Sequence, residues 1–419
     1  MGSKLTRRLW LKQAGSVISA LTLKGYIPLR EVRQTIMVVS GWQDINIGDI
    51  AHTPGLLHVL NEFIPGAEII LWKKSYSEEV ENLLTRNFPK LKIVYGNPDS
   101  NGNIASEKVL AAFSQSDILI HGSGPSVVGQ SNIESWVKIT GKPFGIFGTT
   151  IQNIDSTLAK LLLKASFIFT RETESLKVLD NNGIGGKNIF FVPDATFYMD
   201  IRNDEKASAF LMDHSLEERK FICVVPRLRR TPYYQERPRS YTPDQVKAID
   251  DLNNSKKESD HAKMREAMIA WVRNTHNKVL VCPEMTYQVN IMDELLIDPL
   301  PDDVRPFVLK RGYWFPDEAA SVYRRAFAVV SFECHSPIIA IANSTPAFYL
   351  RQPEDTIKGQ MYYDLGLNDW IFEIEKASGS QISERLMGIV GDPKGVERTV
   401  RRVQSDVKKL FRQGTTLIK

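Results

Sequence analysis

The 419-residue chain is poor in cysteine and in net charge, and it has no long apolar run, no low-complexity tract and no internal repeat. Its three cysteines, Cys223, Cys282 and Cys334, are scattered beside apolar runs rather than paired. That excludes a disulfide framework and a zinc knuckle and leaves them as small buried hydrophobes. The formal charge is only +4, with basic residues spread along the chain, so the footprint of a nucleic-acid binder is missing. The seven histidines include no H-x-x-x-H pair, and Cys334 beside His335 is too little to hold zinc, so no metal site is expected. Without a repeat, solenoids and propellers fall away.

What is present is a length that calls for more than one core, with apolar and charged fractions typical of globular proteins. The first residues are distinctive. Thr6-Arg7-Arg8-Leu9-Trp10-Leu11-Lys12 and the apolar Ala14 to Leu23 resemble a twin-arginine export signal, and the apolar stretch is too short for an ordinary membrane span. Residues 1–30 are therefore expected to be a signal or anchor, placing the protein in the periplasm or on a membrane. No clear A-x-A cleavage site follows, so the segment would be kept as an anchor or cleaved as a signal, and a cytoplasmic protein with an amphipathic N-terminus is the alternative.

From Thr35 onward, short β-branched runs alternate with helical patterns, the mark of βαβ units and mainly parallel sheets. Seven strands are expected between Thr35 and Val192 and five between Phe221 and Leu350, the last at Ala347 to Leu350. This predicts an N-terminal Rossmann-like domain over 35–200, a second over 215–375, and C-terminal helices over 380–415. The basic residues of that tail, such as Arg398, Arg402 and Lys409, read as a solvated face. A polar segment from Asp200 to Lys220 would join the domains. A long irregular stretch from Leu228 to His261, with Arg229, Tyr233, Arg237 and Tyr241, leaves the carboxyl end of a strand, where open α/β sheets bind ligands.

Four segments at strand ends have the residue types for chemistry. In Asn46-Ile47-Gly48-Asp49, the glycine permits a tight turn, Asp49 can cap the next helix and Asn46 offers an amide. The loop His121-Gly122-Ser123-Gly124 lets backbone N–H groups approach a ligand. Arg171 closes a strand, where it either binds an anion or pairs with Glu172. Ser331-Phe332-Glu333-Cys334-His335 runs into a helix and gathers acid and base side chains.

The order of Asn46-x-Gly48-Asp49, the Gly122 loop, Arg171, Pro193-Asp194, His335, Pro346, Lys358 and Leu365-Gly366-Leu367 resembles the polysaccharide pyruvyl transferase family, from about Thr35 to Asn368. The resemblance implies a glycosyltransferase-B-like pair of Rossmann-type domains facing a cleft. It also implies transfer of a pyruvyl unit from phosphoenolpyruvate to sugar hydroxyls of a surface polysaccharide, with no further cofactor. His335 would handle the proton, and Lys358 the donor's phosphate or carboxylate. Asn46, Asp49, Gly122, Ser123 and Gly124 would line the cleft for the acceptor. One position departs: the family's Ser-x-Arg-x-His becomes Ser331-x-Glu333-x-His335. A carboxylate then stands where an anionic donor would bind, and at about 4 Å and an effective dielectric near 20 the reversal is worth roughly 4 kcal/mol. Arg227 and Arg351 are the candidates to compensate, with Arg171. Two other readings stay open: an exported glycan hydrolase or lyase using Glu333 and His335 as its acid/base pair, and a carbohydrate-binding protein without catalysis. An exported protein would also be parted from a cytosolic donor.

Overall fold

The structure, a computed structural model, describes residues 34–418, so the twin-arginine-like segment lies outside the described residues. From Gln34 onward the chain forms one compact unit built on two parallel sheets. The first contains β1 Thr35–Ser40, β2 Glu68–Lys73, β3 Lys92–Val94, β4 Ile118–His121, β5 Phe144–Thr149, β6 Phe167–Thr170 and β7 Ile189–Phe191, in spatial order β3-β2-β1-β4-β5-β6-β7. The second contains β8 Phe221–Val225, β9 Lys278–Val281, β10 Val308–Lys310, β11 Ala328–Ser331, β12 Ala347–Arg351 and β13 Ile371–Glu373, in order β10-β9-β8-β11-β12-β13. Central strands such as Phe221–Val225 and Ala328–Ser331 are buried along their whole length, because helices cover both faces and leave no strand side for water. That is why they read as apolar runs rather than alternations.

Each sheet reverses direction beside its first strand, between β1 and β4 and between β8 and β11. Loops leaving the carboxyl ends of strands on either side of such a point diverge and open a crevice. The two crevices carry most of the polar residues described below.

Several elements differ from the sequence reading. The stretch Leu228 to His261 is not one irregular loop: a 33-residue helix, Pro243–Thr275, begins inside it. Thr242 and Gln245 form a capping box and Pro243 occupies the first turn, strong start signals. Its buried face, however, contains Asn253, Asp260, His261 and Arg265, so the apolar period that normally betrays a helix appears only from Met264 onward, through Met268 and Trp271. The polar Asp200 to Lys220 segment contains the helix Asp204–Asp213, and the strand Ile371–Glu373 was not foreseen.

The C-terminal tail is two helices, Gly379–Gly391 and Pro393–Thr415. Val400, Val403, Val407 and Phe411 recur at helical spacing and are buried. They return the chain to the first sheet's side, where the Phe411 ring stacks on Phe147 at 5.8 Å and meets Tyr198 at 5.3 Å. The charged face is solvated, as the charge pattern suggested; Lys408 on it pairs with Glu62 at 2.7 Å.

Candidate active site

The two halves are stitched together at the crevice. Ile47 N–H donates to Glu284 O (2.9 Å), Thr286 N–H donates to Ile45 O (3.1 Å), and Asn46 forms an antiparallel bridge with Met285. The first helix, Ile47–Phe63, starts there because the Asn46 side-chain oxygen accepts from Gly48 N–H (2.7 Å) and Asp49 N–H (3.3 Å). Asn46, not Asp49, is thus the cap, and Gly48 sits in the first helical turn rather than in a free turn. A Cβ on Gly48 would lie 2.2 Å from His335 Nδ1, so only glycine lets the imidazole reach this helix.

Around His335 the two halves contribute equally. Its Nδ1 lies 3.2 Å from Glu284 Oε1, and the other Glu284 oxygen accepts from Ser336 N–H (2.6 Å) and Ser336 O–H (2.7 Å). His335 Nε2 is 3.0 Å from His52 Nε2 and 3.9 Å from Asp194 Oδ2, and His52 Nε2 is 3.2 Å from the same Asp194 oxygen. Arg171 closes the set, donating from Nη1 to Asp194 Oδ2 (2.8 Å) and from Nε to Thr150 Oγ1 (2.7 Å). His52, Asp194 and Glu284 are fully buried, and the His335 side chain retains 11% exposure. Burial disfavours charge on His335, yet the neighbouring Cys334 and Glu284 outweigh it and leave the imidazole above its ordinary pKa. Asp194 is held well below the usual carboxylate range: burial opposes this, and His52 and Arg171 overcome it.

The second cluster belongs to the second sheet alone. Arg227, just beyond β8, donates from Nη1 to Asp355 Oδ1 (2.5 Å) and Gln352 Oε1 (3.2 Å), and its Nε lies 3.4 Å from Glu333 Oε1. Lys358 Nζ is 2.8 Å from Asp355 Oδ1, and Gln288 donates to Glu333 Oε1 at 2.8 Å. Two cations thus face two carboxylates. Burial pushes the Glu333 carboxyl up to about 7 against the pull of Arg227.

The structure therefore brings Asn46, Asp49, His335, Glu333, Arg227 and Lys358 to the crevices, and it gives several expected residues other work. The carboxylate facing His335 is Glu284, whereas Glu333 faces Arg227 and Gln288, so the expected Glu333–His335 acid/base pairing is replaced. Arg351 reaches Glu373 at 2.8 Å and the Thr356 carbonyl, away from Glu333's partners. Arg171 is 1% exposed and serves Asp194.

The Gly122 loop is spent internally. Gly122 N–H donates to Val39 O (3.0 Å), Gly124 bridges to Thr149, and the Ser123 hydroxyl accepts from Ala195 N–H (3.0 Å) and donates to Phe147 O (3.4 Å). His121 accepts from Gly129 N–H at 3.0 Å, and burial lowers its pKa to about 3, so it stays neutral. Asp49 accepts from Gln43, whose amide also donates to Tyr233 Oη at 3.1 Å, so the tyrosine-bearing loop does reach the crevice. Sequence reasoning missed three residues. His52 lies inside the first helix, Ile47–Phe63, where no neighbouring motif singles it out. Glu284 follows a strand end after Cys282-Pro283, a placement that in a parallel sheet was itself a signal. Asp194 entered only as part of a motif. Together His52, Asp194 and His335 form a group with metal-ligand chemistry that chain spacing did not reveal.

Comparison with known proteins agrees with this architecture. Solved structures with the same fold include UDP-GlcNAc 2-epimerase from Neisseria meningitidis bound to UDP-GlcNAc, with 9% identity, TM-score 0.55, and coverage of 91% of this chain and 100% of that one. They also include the Methanocaldococcus jannaschii UDP-GlcNAc 2-epimerase in complex with UDP-GlcNAc and UDP (13%, TM-score 0.52, 88% and 99%). A third is the E. coli ADP-heptose LPS heptosyltransferase II (13%, TM-score 0.50, 86% and 100%). At such identities the likeness shows the fold, two Rossmann-like halves of the glycosyltransferase-B type, and nothing more. No curated protein matches the sequence. The sequence of residues 46–352 matches the polysaccharide pyruvyl transferase family, spanning both crevices and every residue of the two clusters except Asp355 and Lys358, and the chain belongs to that family.

Proposed function

We propose that the protein transfers a pyruvyl unit to sugar hydroxyls of a polysaccharide, with the Glu284–His335–His52–Asp194 cluster activating the acceptor and the Arg227–Lys358 side receiving the donor. The observation that carries the reading is the Glu284–His335 contact at the junction of the halves. A buried carboxylate behind an imidazole orients the ring and stabilises its charged form, the arrangement that lets histidine handle a proton. Family membership supports the reaction class. The complexes of structural relatives with UDP-GlcNAc support a saccharide in the crevice.

With phosphoenolpyruvate as donor, one hydroxyl oxygen adds to the enol C2 while its proton is relayed to the methylene carbon. A second hydroxyl then displaces phosphate, which takes up that hydroxyl's proton, leaving a pyruvate ketal. The charge balance around Arg227 makes the donor the open term. Both cations are already paired, so a donor with a phosphate and a carboxylate has to displace Glu333 or meet it protonated. Export by the twin-arginine segment is part of the proposal and favours a donor other than a cytosolic one. Among the described residues no helix is long and apolar enough to cross a membrane.

The test is release of phosphate from phosphoenolpyruvate with a panel of pyranoside acceptors and detection of the ketal by mass spectrometry. Turnover that disappears in His335→Ala and Glu284→Gln is expected. Silence with every acceptor would reject phosphoenolpyruvate as the donor, and full activity in both variants would reject the reading.

A further inference from the structure

The contacts around His335 and His52 gather two imidazoles and a carboxylate from distant parts of the chain. Glu284 lies on the Nδ1 side of His335 at 3.2 Å, and Asp49 Oδ1 lies on the Nδ1 side of His52 at 3.9 Å, where His52 Nδ1 is buried without a hydrogen-bond partner. The two Nε2 atoms face one another at 3.0 Å, and the Asp194 carboxylate oxygen joins them at 3.2 and 3.9 Å. Three atoms able to ligate a metal, from three different elements, thus converge in a buried place, with Arg171 and the Thr196 N–H fixing the carboxylate from outside.

We propose that His52 Nε2, Asp194 Oδ2 and His335 Nε2 form a site for one divalent transition metal, zinc by preference. A four-coordinate zinc bound at about 2.0–2.1 Å to each ligand sets neighbouring ligand atoms about 3.3 Å apart, a spacing that the three observed separations bracket. Two imidazoles and one carboxylate are the donor set that suits such a metal, and three protein ligands leave a coordination position for water or an acceptor hydroxyl. The surrounding shell is that of a metal site too. Glu284 receives the second nitrogen of His335, while Arg171 and the Thr196 N–H, the latter at 2.9 Å from Asp194 Oδ1, hold the carboxylate in place. Gly48 provides the clearance that admits the ring. The three ligands come from the first helix, the loop after β7 and the helix His335–Ala342. A bound metal would therefore also clamp the two halves together. The inference rests on the proposed function in naming a sugar hydroxyl as the exchangeable ligand, and it reassigns the proton: with Nε2 on the metal, His335 would be a ligand and the metal would acidify the hydroxyl.

The test uses the full chain, stripped by chelator and titrated with zinc chloride by calorimetry and with Co²⁺ by visible absorption. One equivalent should bind, with the d–d spectrum of a four-coordinate Co²⁺ and a raised unfolding midpoint. Affinity should fall at least a hundredfold in His52→Ala and Asp194→Asn and about tenfold in Glu284→Gln. Far-UV circular dichroism checks that each variant is folded, and His52→Gln offers a milder replacement should alanine prevent folding. Absence of binding at micromolar metal in wild type would overturn the site, as would binding undiminished in folded His52→Gln. Phosphoenolpyruvate turnover in chelated protein would sink the metal and keep the transferase, whereas tight metal binding without turnover would do the reverse.

Discussion

The two polar clusters beside the crevices use similar residue types to opposite ends. Around Arg227, two cations and two carboxylates are all supplied by the second half of the chain, and each charge has its partner. Around His335, both halves contribute, and two imidazoles crowd a single Asp194 oxygen at 3.2 and 3.9 Å. A closed set of buried charges stabilises a shape but has little attraction left for a ligand, because any anion must first pull a pair apart. An open set is costly for the free protein and is held only because the packing of two lobes enforces it, which is how reactive sites are usually made. We therefore place the proposed chemistry at His335, and read Arg227 as turned inward by Glu333 and Asp355.

The largest effect should come from breaking the closed set. Arg227→Met leaves Asp355 and Glu333 buried without their guanidinium, and removal of one partner from a buried pair costs about 3–5 kcal/mol. A denaturant midpoint that drops accordingly, read by fluorescence, is the expected result; an unchanged midpoint would mean the cluster is open to water and not closed.

A slightly smaller effect lies behind the open cluster. Glu172, paired with Arg171 at 3.8 Å, has its carboxyl pushed up to about 7 by burial despite that neighbour. An acid whose folded pKa is raised binds more protons folded than unfolded, so its contribution is fully present below about pH 4.5 and is lost as the pH climbs to 7. Glu172→Gln does not titrate. Its stability relative to wild type should rise between pH 4.5 and pH 8 by up to about 3 kcal/mol. Parallel stability curves for the two proteins would refute the buried, proton-holding state.

The parallel α/β architecture was legible because central strands buried on both faces, such as Phe221–Val225 and Ala328–Ser331, must be apolar runs, while half-buried edge strands such as Ile189–Phe191 show only short ones. Local pattern failed where tertiary contacts replaced it. The helix Pro243–Thr275 buries Asp260 through its pair with Arg229 and Asn253 through the Arg230 backbone, so a polar face points inward. At the site, residues adjacent to strand ends were found, including His335, Arg227 and Asn46. His52 was not, because its meaning depends on a neighbour from the other half of the chain, and Glu284 was not, because its partners His335 and Ser336 follow 51 and 52 positions later. His52 and His335 are 283 positions apart and 3.0 Å apart.

The mildest test bears most directly on what this family member does. Glu333→Gln keeps the size of the side chain and the oxygen that accepts from Gln288, and removes only the charge opposite Arg227. If the inward pairing of Arg227 suppresses donor binding, the neutral variant should bind phosphoenolpyruvate about tenfold more tightly, or about 1.4 kcal/mol, with the fold and the His335 cluster untouched. Isothermal titration in buffers of low and high ionic strength would read the change, and the gain should shrink with salt because the guanidinium's attraction is screened. Unaltered affinity would show that the donor does not approach Arg227. The anion site inferred from the family would then have been lost with the arginine, leaving the open cluster at His335 to define a different transfer.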